Sequence, residues 1–169
     1  MASMTYIIAS PFILLEYVIK KKIEGIRVSK ELRREQLITE MRDKHIKCKN
    51  ITTYTPFWVG DTCHGKYSSN SIKLNDRIYG VQLIETLFHE DRHYQQEQKN
   101  SDCFKGYIRA EDDYKGYYNQ HVEKDARRYA YVHTMRYAKV RLGWRFGIFS
   151  ILYRMHSHPW KGITYKKVK

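Results

Sequence analysis

The feature that most constrains this chain is the pattern H-E-x-x-H, which His89, Glu90 and His93 form in the segment LIETLFHEDRHYQQ. Apolar residues recur just before the pattern at the spacing of a helix face, at Val81, Ile84, Leu87 and Phe88. Residues four apart on a helix lie on one face, a single turn from each other. The pattern therefore predicts a helix over about residues 79–98 whose two histidines can bind one metal ion.

Glu90 follows the first histidine directly, so its side chain is rotated away from the metal-binding face. A carboxylate beside the metal can take a proton from activated water and pass it to a leaving amine. Zinc suits this arrangement, since catalytic sites hold it with three protein ligands and leave one position for water. We therefore expect Zn²⁺ as the cofactor and Glu90 as the catalytic base.

A third ligand is expected at Glu123, in the segment NQHVEKDARRYAYVH. The stretch after His93 is long enough to leave one helix, cross a loop and return antiparallel. Glu123, Ala126 and Ala130 share one helix face, and the two alanines allow a close approach to the histidine helix. The pattern predicts a helix from Asn119 to Leu142.

Local composition indicates the remaining elements. Ser29 is a candidate cap for a helix that continues to Met41, and Gly143 is a candidate end signal for the helix from Asn119. The segment 99–116 is polar and predicts a loop, with room for a short helix. Further predictions are strands near Thr52–Val59 and Ser71–Leu74 joined by a loop, a helix over Trp144–Met155, and a loose basic tail after Pro159.

Charge is the main compositional signal. Lys and Arg number 31 against 18 acids, which gives a net charge of +13, and the chain has 15 tyrosines. Such a surface favours anionic partners, nucleic acid among them, because basic side chains neutralise phosphates and aromatic rings stack on bases. The alternative is a generally basic surface with no dedicated partner.

Two observations bear on the cellular setting. Three cysteines without C-x-x-C spacing predict neither a disulfide framework nor a cysteine zinc site, which suits a reducing cytoplasm. The apolar run Met4–Ile19 is short for a membrane span and contains Pro11 and Glu16. We therefore expect no membrane anchor, and we interpret the run as a buried strand or helix.

The sequence HEDRH followed by EKDARRYA resembles the gluzincin metallopeptidases, and most closely the small bacterial and phage domains of the ImmA-like kind. The resemblance covers roughly residues 50–140. It implies a zinc site of His89, His93 and Glu123 with Glu90 as base, and a substrate cleft bordered by the strand at 71–74. It also implies the cytoplasm of a bacterium or of a phage-infected host.

The chain departs from this family at Arg127, where several gluzincins place an acid that orients a histidine. Asp125, Glu85 or a backbone carbonyl could accept the histidine N–H instead. Donors for the oxyanion of peptide hydrolysis are sought near the third ligand. The candidates by proximity in sequence are Tyr118, His121 and His133.

Together these features predict one α+β domain over residues 1–169, a minimal zincin with its core at about 50–140. A small twisted sheet would pack on the two metal-bearing helices, with extra helices at both ends. The expected activity is a zinc metallopeptidase that cleaves a restricted protein or peptide target. The alternative is a non-catalytic regulatory or anti-defence protein that binds nucleic acid or a protein through its basic surface.

Overall fold

A computed structural model describes residues 11–56, 63–143, 146–147 and 150 of the protein. The chain divides into two compact units, one ending at His45 and the other starting at Ile46. We describe each unit by itself, and the expected single domain stays a prediction.

The N-terminal unit contains one long helix, α1, which spans Pro11–Lys44. The prediction that a helix starts at Ser29 was wrong, because Ser29 lies inside α1. Good helix formers such as Lys, Glu, Leu and Arg surround this serine, and no proline interrupts the helix after its first residue. The apolar run continues into α1 from Pro11, whereas residues 4–10 lie outside the described part. Among the described residues, no helix is long and apolar enough to cross a membrane.

The second unit begins with a three-stranded mixed sheet. Its strands are β1 (Ile51–Tyr54), β2 (Gly65–Ser68) and β3 (Ser71–Asn75), in the order β1-β3-β2. The central strand β3 runs parallel to β1 and antiparallel to β2. Its apolar side chains, Ile72 and Leu74, are fully buried.

The sheet differs from the prediction in two places. β1 ends at Tyr54 instead of continuing to residue 59, although residues 57–62 lie outside the described part. β2 was predicted as loop because its sequence GKYS lacks a run of β-branched residues. It is a strand because the two-residue turn of Ser69 and Asn70, both with positive φ, pairs it with β3.

Two helices of the second unit agree closely with the sequence analysis. Helix α2 spans Gly80–Lys99, and helix α4 spans His121–Leu142 and ends at Gly143, whose φ is +52°. Between them lie a 3₁₀ turn at Ser101–Phe104 and the short helix α3 at Tyr114–Asn119. The helix predicted for 144–155 falls largely outside the described residues.

Helix α2 packs against β2, β3 and α4, so it lies in contact with both the sheet and the other long helix of this unit. Its buried side chains are apolar near the start of the helix, at Leu83 and Leu87, and ionisable further on, at Glu90 and His93. The described part of the chain thus has the predicted α+β class.

Candidate metal centre

Where α4 contacts α2, the face of α4 carries small side chains. Ala126 and Ala130 are fully buried on α4, and Glu123 on the same face is only 1% exposed. The helices run antiparallel, since Gln96 of α2 contacts Val122 at the start of α4, whereas Phe88 contacts His133 further along. This close packing brings the Glu123 carboxylate to the histidines of α2.

Potential ligand atoms of three side chains converge between the helices, and one such atom from each of His89, His93 and Glu123 lies within 4.8 Å of the other two. The Nε2 atoms of His89 and His93 are 3.1 Å apart. Glu123 Oε1 lies 3.1 Å from His93 Nε2, and Oε2 lies 3.3 Å from His89 Nε2. Ligand atoms placed tetrahedrally at about 2.0–2.1 Å from zinc are separated by roughly 3.3 Å. Each measured pair is close to this separation, so the three side chains form a group that could hold a metal ion.

The donor set also suits a cation on chemical grounds. Glu123 Oε2 is buried and, within the described residues, accepts no hydrogen bond. The two facing imidazole nitrogens can share only one proton in a hydrogen bond, so full protonation of both rings would place two N–H groups against each other. A metal ion would satisfy both nitrogens and the carboxylate oxygen at once.

Without a metal, the two histidines stabilise the ionised form of Glu123. Burial alone would raise the pKa of Glu123, but its interactions with His89 and His93 outweigh burial and hold that pKa well below its usual range. Burial opposes protonation of His93, yet Glu123 and Glu90 raise the pKa of this histidine. The site is thus a negative centre that attracts positive charge.

Glu90 lies under the sheet beside this cluster. It is buried, and a Cβ added to Gly65 of β2 would lie 3.5 Å from its Cγ. The same Cβ would lie only 2.6 Å from Thr86 Cγ2, so β2 can approach α2 this closely only with glycine at position 65. The strand next to Glu90 is therefore β2. The expectation that the strand at 71–74 borders a substrate cleft stays a prediction; β3 is the central strand of the sheet and also contacts α2.

Two tyrosines that sequence reasoning missed contact the third ligand. The Tyr107 hydroxyl donates a hydrogen bond to Glu123 Oε1 at 2.5 Å. Burial, followed by the interaction with Glu123, raises the pKa of Tyr107, and burial and the charge of Glu123 raise the pKa of Tyr117. Both hydroxyls therefore keep their protons and can act as donors. In sequence, Tyr107 and Tyr117 were two of fifteen tyrosines with no motif around them.

The three donors expected from the sequence have other surroundings. Arg127 lies over the ring of Tyr118 at 3.9 Å and also donates to its carbonyl oxygen. His133 stacks on Tyr129, with ring centroids 4.0 Å apart. It is ten residues beyond Glu123, which is about 15 Å along a helix. His121 is exposed at the first residue of α4. The structure brings none of the three into the described ligand cluster.

The two variable positions of H-E-x-x-H make structural contacts. Asp91 is fully buried, and its Oδ1 accepts hydrogen bonds from the backbone N–H groups of Lys47 and Cys48, at 2.7 and 2.8 Å. Arg92 donates to Asp125 of α4 at 2.7 Å. These residues attach α2 to the segment before β1 and to α4, and so help to hold the histidines in place.

Arg127 follows Glu123 by one turn of α4. Its guanidinium is 3.7 Å from Glu123 Oε2, and it also holds the Tyr118 carbonyl at the end of α3. Arg127 therefore contributes positive charge beside the third ligand and connects α3 to α4.

The chain was compared with known protein families, with curated proteins and with solved structures, and none of them matched.

Proposed function

We propose that this protein is a zinc-dependent hydrolase, a gluzincin-like metallopeptidase with a minimal zincin fold. The observation that carries the proposal is the convergence of His89 Nε2, His93 Nε2 and the Glu123 carboxylate within 3.1–3.3 Å of one another. Glu90 lies buried at the adjacent position of the same helix. Two imidazoles, one carboxylate and a neighbouring glutamate are the groups that zinc-dependent peptide hydrolysis needs.

In this proposal His89, His93 and Glu123 would hold the ion. When bound, zinc supplies a Lewis acid that polarises the peptide carbonyl and lowers the pKa of the attacking water. Glu90 accepts the proton of that water and delivers it to the leaving amine. Its burial beneath β2 shields its carboxylate from bulk solvent, which strengthens its interaction with the reacting groups.

The same surroundings suggest a donor for the oxyanion. The single hydroxyl proton of Tyr107 is donated to Glu123 Oε1, so Tyr107 would hold the third ligand in place. The Tyr117 hydroxyl stays protonated and could donate a hydrogen bond to negative charge that develops on the substrate carbonyl. In the proposed enzyme Tyr117 takes the role that the sequence analysis sought in Tyr118, His121 and His133.

The proposed substrate is a restricted protein or peptide target, met in the cytoplasm of a bacterium or a phage-infected host. In the described part of the sheet, β2 is an edge strand and lies next to Glu90. An edge strand has free backbone groups that can pair with an extended peptide.

The test combines metal analysis with peptide cleavage. The purified protein is expected to contain one zinc per chain, which a chelator removes. Cleavage is assayed on a peptide library made from a digested proteome, with products identified by mass spectrometry. Glu90→Gln should lower cleavage about 10²- to 10⁴-fold while the zinc content stays the same. The matched control is Glu111→Gln, at a position that is 75% exposed, which should cleave as wild type does. Absence of zinc, or unchanged cleavage in Glu90→Gln, would refute the proposal.

A second candidate function is a regulatory or anti-defence protein that binds nucleic acid or a protein without cleaving it. The observation in its favour is the outer side of α4, where four basic side chains are exposed: Lys124, Arg128, Arg136 and Lys139. Nucleic acid binding would show as retention on DNA that falls steeply with salt concentration. Biological activity that survives Glu90→Gln would favour this candidate over the enzyme.

A further inference from the structure

The Nδ1 atom of His93, on the far side of the ring from the metal position, has a specific partner. It lies 2.9 Å from Oε1 of Gln96, three residues further along α2. Whether Nδ1 donates or accepts depends on which amide atom of Gln96, the oxygen or the nitrogen, faces it. That orientation follows from the other two contacts of Gln96.

Both protons of the Gln96 amide nitrogen are already in use. Nε2 donates to the Val122 backbone oxygen at 3.0 Å and to Asp125 Oδ2 at 2.9 Å. A carbonyl oxygen and a carboxylate can only accept, so the opposite amide orientation would place an oxygen against two acceptors. The orientation with Nε2 towards α4 is therefore fixed, and Oε1 must face His93 as an acceptor.

An acceptor at this place requires that His93 Nδ1 carries a proton. The ring then presents the lone pair of Nε2 to the proposed metal position between His89, His93 and Glu123. Asp125 completes the arrangement, because its Oδ2 also accepts from Arg92 Nε at 2.7 Å, and this second contact holds the carboxylate in place. The Arg92 guanidinium in turn lies 5.1 Å from the ring centroid of Tyr129.

We infer that Gln96 and Asp125 are positioning residues that set the tautomer and ring orientation of His93 for metal binding. Asp125 acts on His93 through Gln96 and not directly. In this arrangement the acid lies at position 125, and position 127 is free to be arginine. The inference rests on the proposed zinc site, and it assigns to Gln96 and Asp125 a role that the H-E-x-x-H pattern does not include.

The test is the zinc affinity of the purified full chain, measured by competition with a chromophoric chelator. Gln96→Met keeps the length of the side chain but removes the acceptor, and should weaken zinc binding about 10- to 100-fold. The matched control is Gln98→Met, the same substitution on the same helix. Gln98 is exposed and contacts Asn70. The zinc affinity of Gln98→Met should stay within about twofold of that of the wild type, because the substitution is on the surface and away from the ligands.

A second pair of variants separates positioning from simple packing. Asp125→Ala removes the acceptor for Gln96 and should weaken zinc binding about tenfold. Asp125→Asn keeps an acceptor oxygen and should restore the affinity to within about threefold of wild type. Equal losses in the alanine and asparagine variants would overturn the inference, as would a Gln96→Met affinity within about threefold of wild type. A wild-type protein that binds no zinc would instead refute the proposed function.

Discussion

The contact between α2 and α4 has two halves of opposite character. In one half, Phe88 of α2 packs against the rings of Tyr129 and His133, and fully or largely buried alanines of α4 lie along the same face. In the other half, the same two helices bring ionisable and amide groups together. Glu90, His93 and Glu123 are buried, whereas His89, Gln96, Asp125 and Arg127 are half-buried.

The difference shows how one helix pair can be both a scaffold and a site. Burying apolar side chains stabilises the fold, whereas burying charged groups costs free energy unless partners or a metal compensate them. The apolar half can hold the helices together, so the polar half does not need to be optimal for stability. It can keep the Glu123 carboxylate and two imidazoles close together, an arrangement that a metal ion would favour.

The largest effect on stability is expected in the apolar core of α2. Leu87 is fully buried, and Leu87→Ala should lower the free energy of unfolding by about 2–5 kcal/mol in urea denaturation without metal. The matched control is Leu32→Ala in α1, at a position that is 59% exposed. It should change stability by less than about 0.5 kcal/mol. Similar losses in both variants would contradict the assignment of α2 stability to this core.

The next effect concerns the polar half and zinc. Zinc at about 100 times its dissociation constant should raise the free energy of unfolding of the wild type by about 2.7 kcal/mol. In Glu123→Ala, tested at the same zinc concentration, the gain should fall below about 0.5 kcal/mol, because one of three ligands is gone. Glu111→Ala should keep the full gain. Equal gains in the wild type and Glu123→Ala would show that zinc binds elsewhere.

A smaller effect is expected where β2 approaches the start of the polar half. Gly65→Ala places a Cβ 2.6 Å from Thr86 Cγ2 and 3.1 Å from the Lys73 carbonyl oxygen. The strand must shift, at a cost of about 1–3 kcal/mol in thermal or urea unfolding. Gly25→Ala in α1 is the control, since its Cβ meets nothing within 4 Å. It should stabilise the protein by about 0.4–1 kcal/mol. If Gly65→Ala leaves the free energy of unfolding unchanged, β2 must lie further from α2 than these distances indicate.

The smallest effect is a pH dependence in the apolar half. Burial, with the charge of Arg136, lowers the pKa of His133 below its ordinary value of 6.5. Protonation is therefore disfavoured in the folded state, and the wild type should lose stability as the pH falls below about 6.5. His133→Phe, which can still stack on Tyr129, should avoid this part of the loss.

Unfolding curves without zinc at pH 8 and pH 5.5 check this prediction. The free energy of unfolding of His133→Phe, relative to that of the wild type, should be higher at pH 5.5 than at pH 8, by less than about 1 kcal/mol. Other groups titrate alike in both proteins, so they cancel in the comparison. A difference that stays constant, or that shifts towards the wild type, would contradict the assigned direction of the pKa shift.

Local patterns predicted much of the second unit. The helical spacing of apolar residues located α2, and Gly143 marked the end of α4. The start of α1 and the strand β2 were not predicted. Ser29 can occupy a helix interior as well as a cap, and GKYS becomes a strand only through its pairing with β3. Both depend on neighbours that a local window does not include.

The sequence by itself determined the placement of His89, Glu90 and His93, because their relative positions follow from the geometry of one helix. It also indicated Glu123, because Ala126 and Ala130 mark the α4 face that can approach another helix closely. Only the tertiary structure decided which side chains surround these residues. Tyr107 comes from a loop and Gly65 from the sheet, and Gln96, although it lies on α2, is oriented by Val122 and Asp125 of α4. Such contacts depend on how distant segments pack together, and no spacing along the chain records them.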